Sequence, residues 1–172
     1  MKFFSGEVAA PARQFASIRR RQLLALSLAG VLVPAADAAP VELQLADSLS
    51  DVLAQALAKR MPLLVMVSLD GCPFCKVARN NYLGPLRDQQ GVPVVQVNMR
   101  TSQAIKDWGG LITTHDQMAK GWGIKIAPTV LFFGHNGAEI AERLVGGYIP
   151  DFYGAYLDER LRVAQLAVRQ QK

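Results

Sequence analysis

Leu63-Leu64-Val65-Met66-Val67-Ser68-Leu69-Asp70-Gly71-Cys72-Pro73-Phe74-Cys75 is the stretch on which the reading of this chain turns. Leu63 to Leu69 is a near-continuous apolar run, the form a strand takes when both faces of its sheet are covered. Asp70-Gly71 then turns the chain. Pro73 sits where the first turn of a helix tolerates a residue with no N–H. A buried strand therefore delivers two cysteines to the start of a helix, where unpaired N–H groups and a partial positive charge stabilise a thiolate. Cys72 is expected to be the nucleophile, its pKa brought from about 8.5 to about 3.5–7.5. Cys75, three residues further on and on the same helix face, is placed to attack the mixed disulfide that Cys72 forms.

Two cysteines admit other uses. A passive staple closing so short a loop stabilises by only about 2 kcal/mol, against about 3 for a loop of about 15 residues. Zinc would need His115 and His135 as further ligands, but the resulting spacing, C-x2-C-x39-H-x19-H, is not that of a compact finger. His115 reads as a solvated residue in the first turn of a short helix, His135 as a neighbour of an exposed hairpin turn, and Asp70 as an ordinary turn residue. A binding module that holds a soft ion such as copper(I) through both thiolates stands as the competing class. The leading reading needs no metal and no bound cofactor.

Upstream, Asp47 or Ser48 can cap a helix whose Leu49, Val52, Leu53, Ala56 and Leu57 fall on one face, and Pro62 stops it. A short extended piece around Val41 to Leu45 precedes it. Downstream, the helix carrying the cysteines is expected to end at Leu83, broken by Gly84-Pro85, and Val92 to Asn98 reads as the next strand. Met99 to Thr113, with Trp108-Gly109-Gly110, shows no clean period and reads as an inserted loop. Thr114 and Gln117 form a capping box for a short helix through Trp122, closed by Gly123. Thr129 to Phe133 and Glu139 to Val145 are strands joined at Asn136-Gly137, and Asp151 caps a last helix with Tyr153, Leu157, Leu161, Ala164 and Val168 along one side. The order helix, strand, helix, strand, helix, strand, strand, helix predicts a single α/β domain at 39–172, a mixed sheet with helices on both faces.

The composition, 51% hydrophobic and 19% charged over 172 residues, is that of a packed globular protein and excludes intrinsic disorder. The net charge of +5 invites a nucleic-acid reading that the distribution removes. Lys2, Arg13, Arg19, Arg20 and Arg21 face only Glu7 and Asp37 in residues 1–38, which leaves a net of +2 for the other 134 residues. The front of the chain reads instead as an export signal: a basic stretch ending at Arg21, an apolar run of 11 residues from Leu23 to Val33, and small residues at Ala36 and Ala38 suited to cleavage before Ala39. Arg20-Arg21-Gln22-Leu23-Leu24 resembles a twin-arginine signal. Neither cysteine lies near the cleavage site, so no lipid anchor is expected after processing. The expected location is the periplasm, an oxidising compartment.

With these elements in order, the chain resembles the thioredoxin superfamily from about Ser48 to Val168. Strand, Cys72-Pro73-Phe74-Cys75 and helix are followed by Ile126-Ala127-Pro128-Thr129 entering an apolar strand, then by a hairpin and Gly146-Gly147. The resemblance implies a thioredoxin-like fold and thiol:disulfide exchange with protein thiols or disulfides. It implies a cis bond before Pro128, facing the cysteine pair. Ala127 would then present backbone groups to an extended substrate, with Phe74, Gly146 and Gly147 lining the same surface. Thioredoxins proper carry Trp-Cys-Gly-Pro-Cys and a buried aspartate in the preceding strand; here Gly71 precedes Cys72, and Met66 stands at the aspartate's position. The Pro-Phe dipeptide looks like glutaredoxins, while the signal and the insertion look more like periplasmic thioredoxin-like proteins, including the SoxW-like group associated with sulfur oxidation. Partners implied are protein thiols or disulfides and a periplasmic or membrane-bound redox partner. A dedicated reductant of one partner, an apocytochrome or a sulfur-carrying protein, is the alternative within enzymes.

Overall fold

The computed structural model describes residues 41–147 and 150–170; the export signal read in residues 1–38 lies outside them. Helix α1 (Leu49–Ala58) begins where Ser48 Oγ accepts the N–H of Asp51 at 3.3 Å, which settles the choice between Asp47 and Ser48 as its cap. Strand β1 (Leu63–Ser68) is buried at every position, as a central strand covered on both faces must be.

One sheet runs in the order β2 (Val94–Asn98), β1, β5 (Thr129–Phe133), β6 (Glu139–Val145). β1 is parallel to β2 and antiparallel to β5, and β6 is antiparallel to β5, so the sheet is mixed. The two-residue period of the central strands divides the core. Leu64, Met66, Val130 and Phe132 pack with Leu83, Leu86, Tyr153 and Leu157 on one face, while Leu63, Val65, Val67, Leu131 and Phe133 pack with Leu49, Leu53 and Ala119 on the other. Helix α5 (Pro150–Gln170) therefore covers the first face, and α1 and α4 (His115–Gly121) cover the second. Residues 44–46 close the β2 edge: Gln96 N–H donates to Gln44 O at 2.8 Å and Ala46 N–H donates to Gln96 O at 3.0 Å.

Three boundaries differ from the sequence expectation. The helix that starts as α2 (Pro73–Ala78) does not stop at Gly84-Pro85; it passes through a π turn, Arg79–Leu83, and continues as α3 (Gly84–Gln90). In that turn the Gly84 N–H donates to Arg79 O, five residues back, and the widened turn accommodates a proline that would break a regular helix. Gly84 is itself required, because a Cβ there would run into Val41.

The expected loop from Met99 to Thr113 contains an antiparallel pair, β3 (Ala104–Lys106) and β4 (Ile112–Thr114). Only Ile105 of β3 is buried, so the strands are too short to show a period. Asp107 holds the turn, its Oδ1 accepting from Gly109 N at 2.8 Å and Leu111 N at 2.9 Å. The last helix starts at Pro150, so Asp151 lies within it rather than before it.

Candidate functional site

The β1 carboxyl end, the α2 amino end and the approach to β5 meet at the cysteines. Gly71 takes a left-handed φ of 71°, which a glycine allows without steric cost and which turns the chain from β1 into α2. Cys72 is the N-cap of α2, and Pro73 occupies its first turn. Cys72 and Cys75 form a disulfide with Cα atoms 5.2 Å apart. The two sulfurs are not equivalent: Cys72 is partly exposed, whereas Cys75 is 1% exposed and packs in the core with Met66 and Ala78. The Cys75 backbone N–H donates to Cys72 Sγ at 3.1 Å. That contact puts an N–H dipole where a Cys72 thiolate would carry its charge.

Across the site, Cys72 Sγ lies 3.8 Å from the carbonyl oxygen of Ala127, and the Ala127–Pro128 peptide bond is cis. The Thr129 hydroxyl donates to Ile126 O at 2.7 Å, pinning the turn into β5. Gly146 N–H donates to Pro128 O at 2.8 Å. A Cβ on Gly147 would lie 3.5 Å from Phe74 Cβ and 3.7 Å from Pro128 Cγ, so Gly147 fits between these two side chains. Phe74 is 51% exposed and Ile126 41% exposed, an apolar rim beside the partly exposed Cys72. All seven residues read from the sequence thus gather around the disulfide, with Cys75, Pro128 and Gly146 buried and Cys72, Phe74, Ala127 and Gly147 at least partly exposed.

Residues 49–160 match the model of a family described as a thioredoxin-like domain. The chain belongs to that thioredoxin-like family. Among curated proteins none matches it. Among solved structures, this thioredoxin-like chain is similar to mitochondrial thioredoxin 3 from Saccharomyces cerevisiae, with 16% identity over 70% of this chain and 93% of that one and a TM-score of 0.46. It is similar to Trxlp from Edwardsiella tarda at 25% identity over 62% and 91% of the two chains, TM-score 0.43. It is also similar to a protein described as DsbH oxidoreductase, at 14% identity over 72% and 88%, TM-score 0.49. A thioredoxin-like domain with its cysteine pair at the start of α2 is a thiol:disulfide oxidoreductase.

His115 departs from its sequence reading. It is fully buried rather than solvated, because both ring nitrogens find backbone partners: Nδ1 accepts from Asn98 N–H at 3.0 Å, and Nε2 donates to Ala46 O at 3.0 Å. Burial pushes its pKa down, against the smaller raising effects of the Ala46 carbonyl and Asp47. With both nitrogens engaged it has none to offer a metal alongside the cysteines, and His135 is exposed beside its hairpin turn. Asp70 is exposed in the turn before Gly71.

The sequence reading missed a polar group behind the cysteines. Arg79 Nε donates to Gln96 Oε1 at 2.9 Å and its terminal nitrogen donates to Ser68 Oγ at 3.3 Å. Gln96 is 7% exposed and Ser68 1% exposed. The available signal was the seven-residue interval from Cys72 to Arg79, two helical turns, which places both on one helix face.

Proposed function

We propose that this protein is a periplasmic thiol:disulfide oxidoreductase in which Cys72 attacks, Cys75 resolves, and the Ala127–Pro128 segment with Gly146 and Gly147 receives an extended stretch of a protein substrate. The observation that carries the reading is the asymmetry of the pair: Cys72, whose sulfur accepts the Cys75 N–H, is partly exposed, whereas Cys75 is buried. In the reducing direction the Cys72 thiolate attacks a substrate disulfide and expels one substrate thiolate, which takes a proton. Cys75, as thiolate, then attacks Cys72 Sγ and expels the second. The pair is oxidised by two electrons and the substrate is reduced by two.

Ala127 O, 3.8 Å from Cys72 Sγ, supplies a backbone acceptor beside the reacting sulfur, as an extended substrate pairing there requires. The helix amino terminus favours the thiolate and hence the reduced form, so the potential is expected on the order of −150 to −250 mV, below the strong oxidants. The export signal in residues 1–38 supports the periplasmic part, and a SoxW-like role with a membrane-bound or periplasmic electron partner is its narrower form.

Equilibration of the protein with glutathione buffers, followed by counting free thiols, tests the redox part. A pair that stays disulfide-bonded at every glutathione ratio and reduces no protein disulfide overturns it. Fractionation of cells producing the full chain tests the location, which a cytoplasmic product overturns.

A further inference from the structure

A cleft of about 450 Å³ opens beside the cysteines on a side that none of Ala127, Pro128, Gly146 or Gly147 lines. Its walls include Gly71, Cys72, Lys76, Arg79, Asp70 and Glu42. Cys72 is thus shared by two surfaces, the backbone rim that suits a polypeptide and a charged cleft whose volume lies in the range of roughly 300–1,000 Å³ that takes small molecules.

The charges in the cleft are not equal. Lys76, Asp70 and Glu42 are exposed, so solvent and salt screen them. Arg79 is half-buried and is held by two buried neutral acceptors, Gln96 Oε1 and Ser68 Oγ. Gln96 is fixed in turn, its Nε2 donating to Asn98 Oδ1 at 2.7 Å. Among the described residues no carboxylate pairs with Arg79, and its remaining N–H groups are available to an incoming acceptor. A planar, oriented guanidinium with an uncompensated charge matches a carboxylate.

We infer that the cleft is a second substrate site, for small disulfides that carry a carboxylate near the sulfur, with Arg79 binding the carboxylate, Lys76 reinforcing it at the rim, and Cys72 attacking the disulfide. The inference rests on exchange at Cys72. The Cys72 thiolate forms a mixed disulfide with one half of the small molecule and releases the other half as a thiolate, which is protonated. Cys75 then closes the protein disulfide and releases the second half, so two electrons pass from the cysteine pair to the substrate.

The test mixes reduced protein with dithiodipropionate, bis(hydroxyethyl) disulfide or cystamine, which are anionic, neutral and cationic. Each rate is divided by the rate of the same disulfide with free dithiothreitol, which removes differences in intrinsic reactivity. The expected result is a normalised rate for the diacid about tenfold above the neutral disulfide, with cystamine below both, and a ratio that shrinks as salt is raised. Arg79→Gln is expected to bring the diacid-to-neutral ratio close to one. Lys76→Gln, on an exposed side chain, lowers the same ratio by a smaller factor and serves if Arg79→Gln fails to fold. A diacid rate at or below the neutral rate, or a preference that survives Arg79→Gln, overturns the site while leaving protein exchange standing. Failure of all three disulfides to oxidise the pair overturns the site alone if the same reduced protein still reduces a protein disulfide, and overturns exchange together with the site if it does not.

Discussion

The Cys75 backbone N–H donates to Cys72 Sγ at 3.1 Å, and the two residues differ sharply in exposure, partial for Cys72 and 1% for Cys75. One hydrogen bond therefore stabilises charge on the sulfur that a substrate can reach, while burial disfavours charge on the other.

The two thiols of the reduced protein should titrate apart. Alkylation by iodoacetamide, read by peptide mass, should modify Cys72 at least about tenfold faster than Cys75 near pH 6. Cys75→Ser should accumulate mixed disulfides with substrate, and Cys72→Ser should abolish exchange. Equal alkylation rates would count against the assignment.

Gly147 sets the height of the rim. A single Cβ there makes ordinary contacts with Phe74 and Pro128, so Gly147→Ala should fold with little change in melting temperature. Gly147→Leu would cover the groove between these side chains and should lower kcat/KM for a protein disulfide about tenfold, about 1.4 kcal/mol. Unchanged turnover in Gly147→Leu would mean that substrates approach elsewhere.

Burial holds the folded His115 imidazole neutral, so the unfolded chain takes up its proton first as acid is added. The stability tied to this residue is fully present above its ordinary pKa of 6.5 and declines as the pH falls below that value. Asp116 acts in a lower window: hydrogen bonds from Lys120 and from the Arg100 backbone lower its pKa from 3.8, so its contribution is lost only below that value. Urea midpoints measured from about pH 8 to about pH 5 should fall for the wild type and stay nearly flat for His115→Gln. Parallel curves for the two proteins would remove His115 as the cause.

Trp108 and Gly137 tie the β3–β4 hairpin to the tip of the β5–β6 hairpin. Gly137 has a φ of 66°, and a Cβ there would come within 2.6 Å of the Trp108 ring. The ring also packs on Phe133 at 4.6 Å between centroids. Gly137→Ala should cost about 2 kcal/mol or more in denaturant unfolding and shift tryptophan fluorescence. A stability within about 0.5 kcal/mol of wild type would refute the contact.

The local sequence was enough to place the strands at Thr129–Phe133 and Glu139–Val145 and the two cysteines at a helix start, whereas the cap of α1 stayed open between Asp47 and Ser48 until the Asp51 N–H was found on Ser48 Oγ. Apolar periodicity, turn chemistry and the start of a helix act over a few neighbouring residues, so they can be read from the chain directly. What lay beyond it depended on contacts between residues distant in sequence. Gly84-Pro85 looks like a helix stop, yet packing of Val41 against Gly84 and the wide turn at Arg79–Leu83 carry the helix on to Gln90. His115 looks solvated until Asn98 and Ala46 supply its ring with partners from 17 and 69 residues away. Arg79 is an ordinary helix cation in sequence; only the strands that carry Ser68 and Gln96 turn it toward the cleft that it shares with Cys72. The sequence by itself determined the strands of the main sheet, the first helix and the reactive pair, because each depends on nearest neighbours along the chain. Tertiary structure alone decided which polar groups are buried and which charges face the reactive sulfur, because both follow from through-space packing and desolvation that no local pattern encodes.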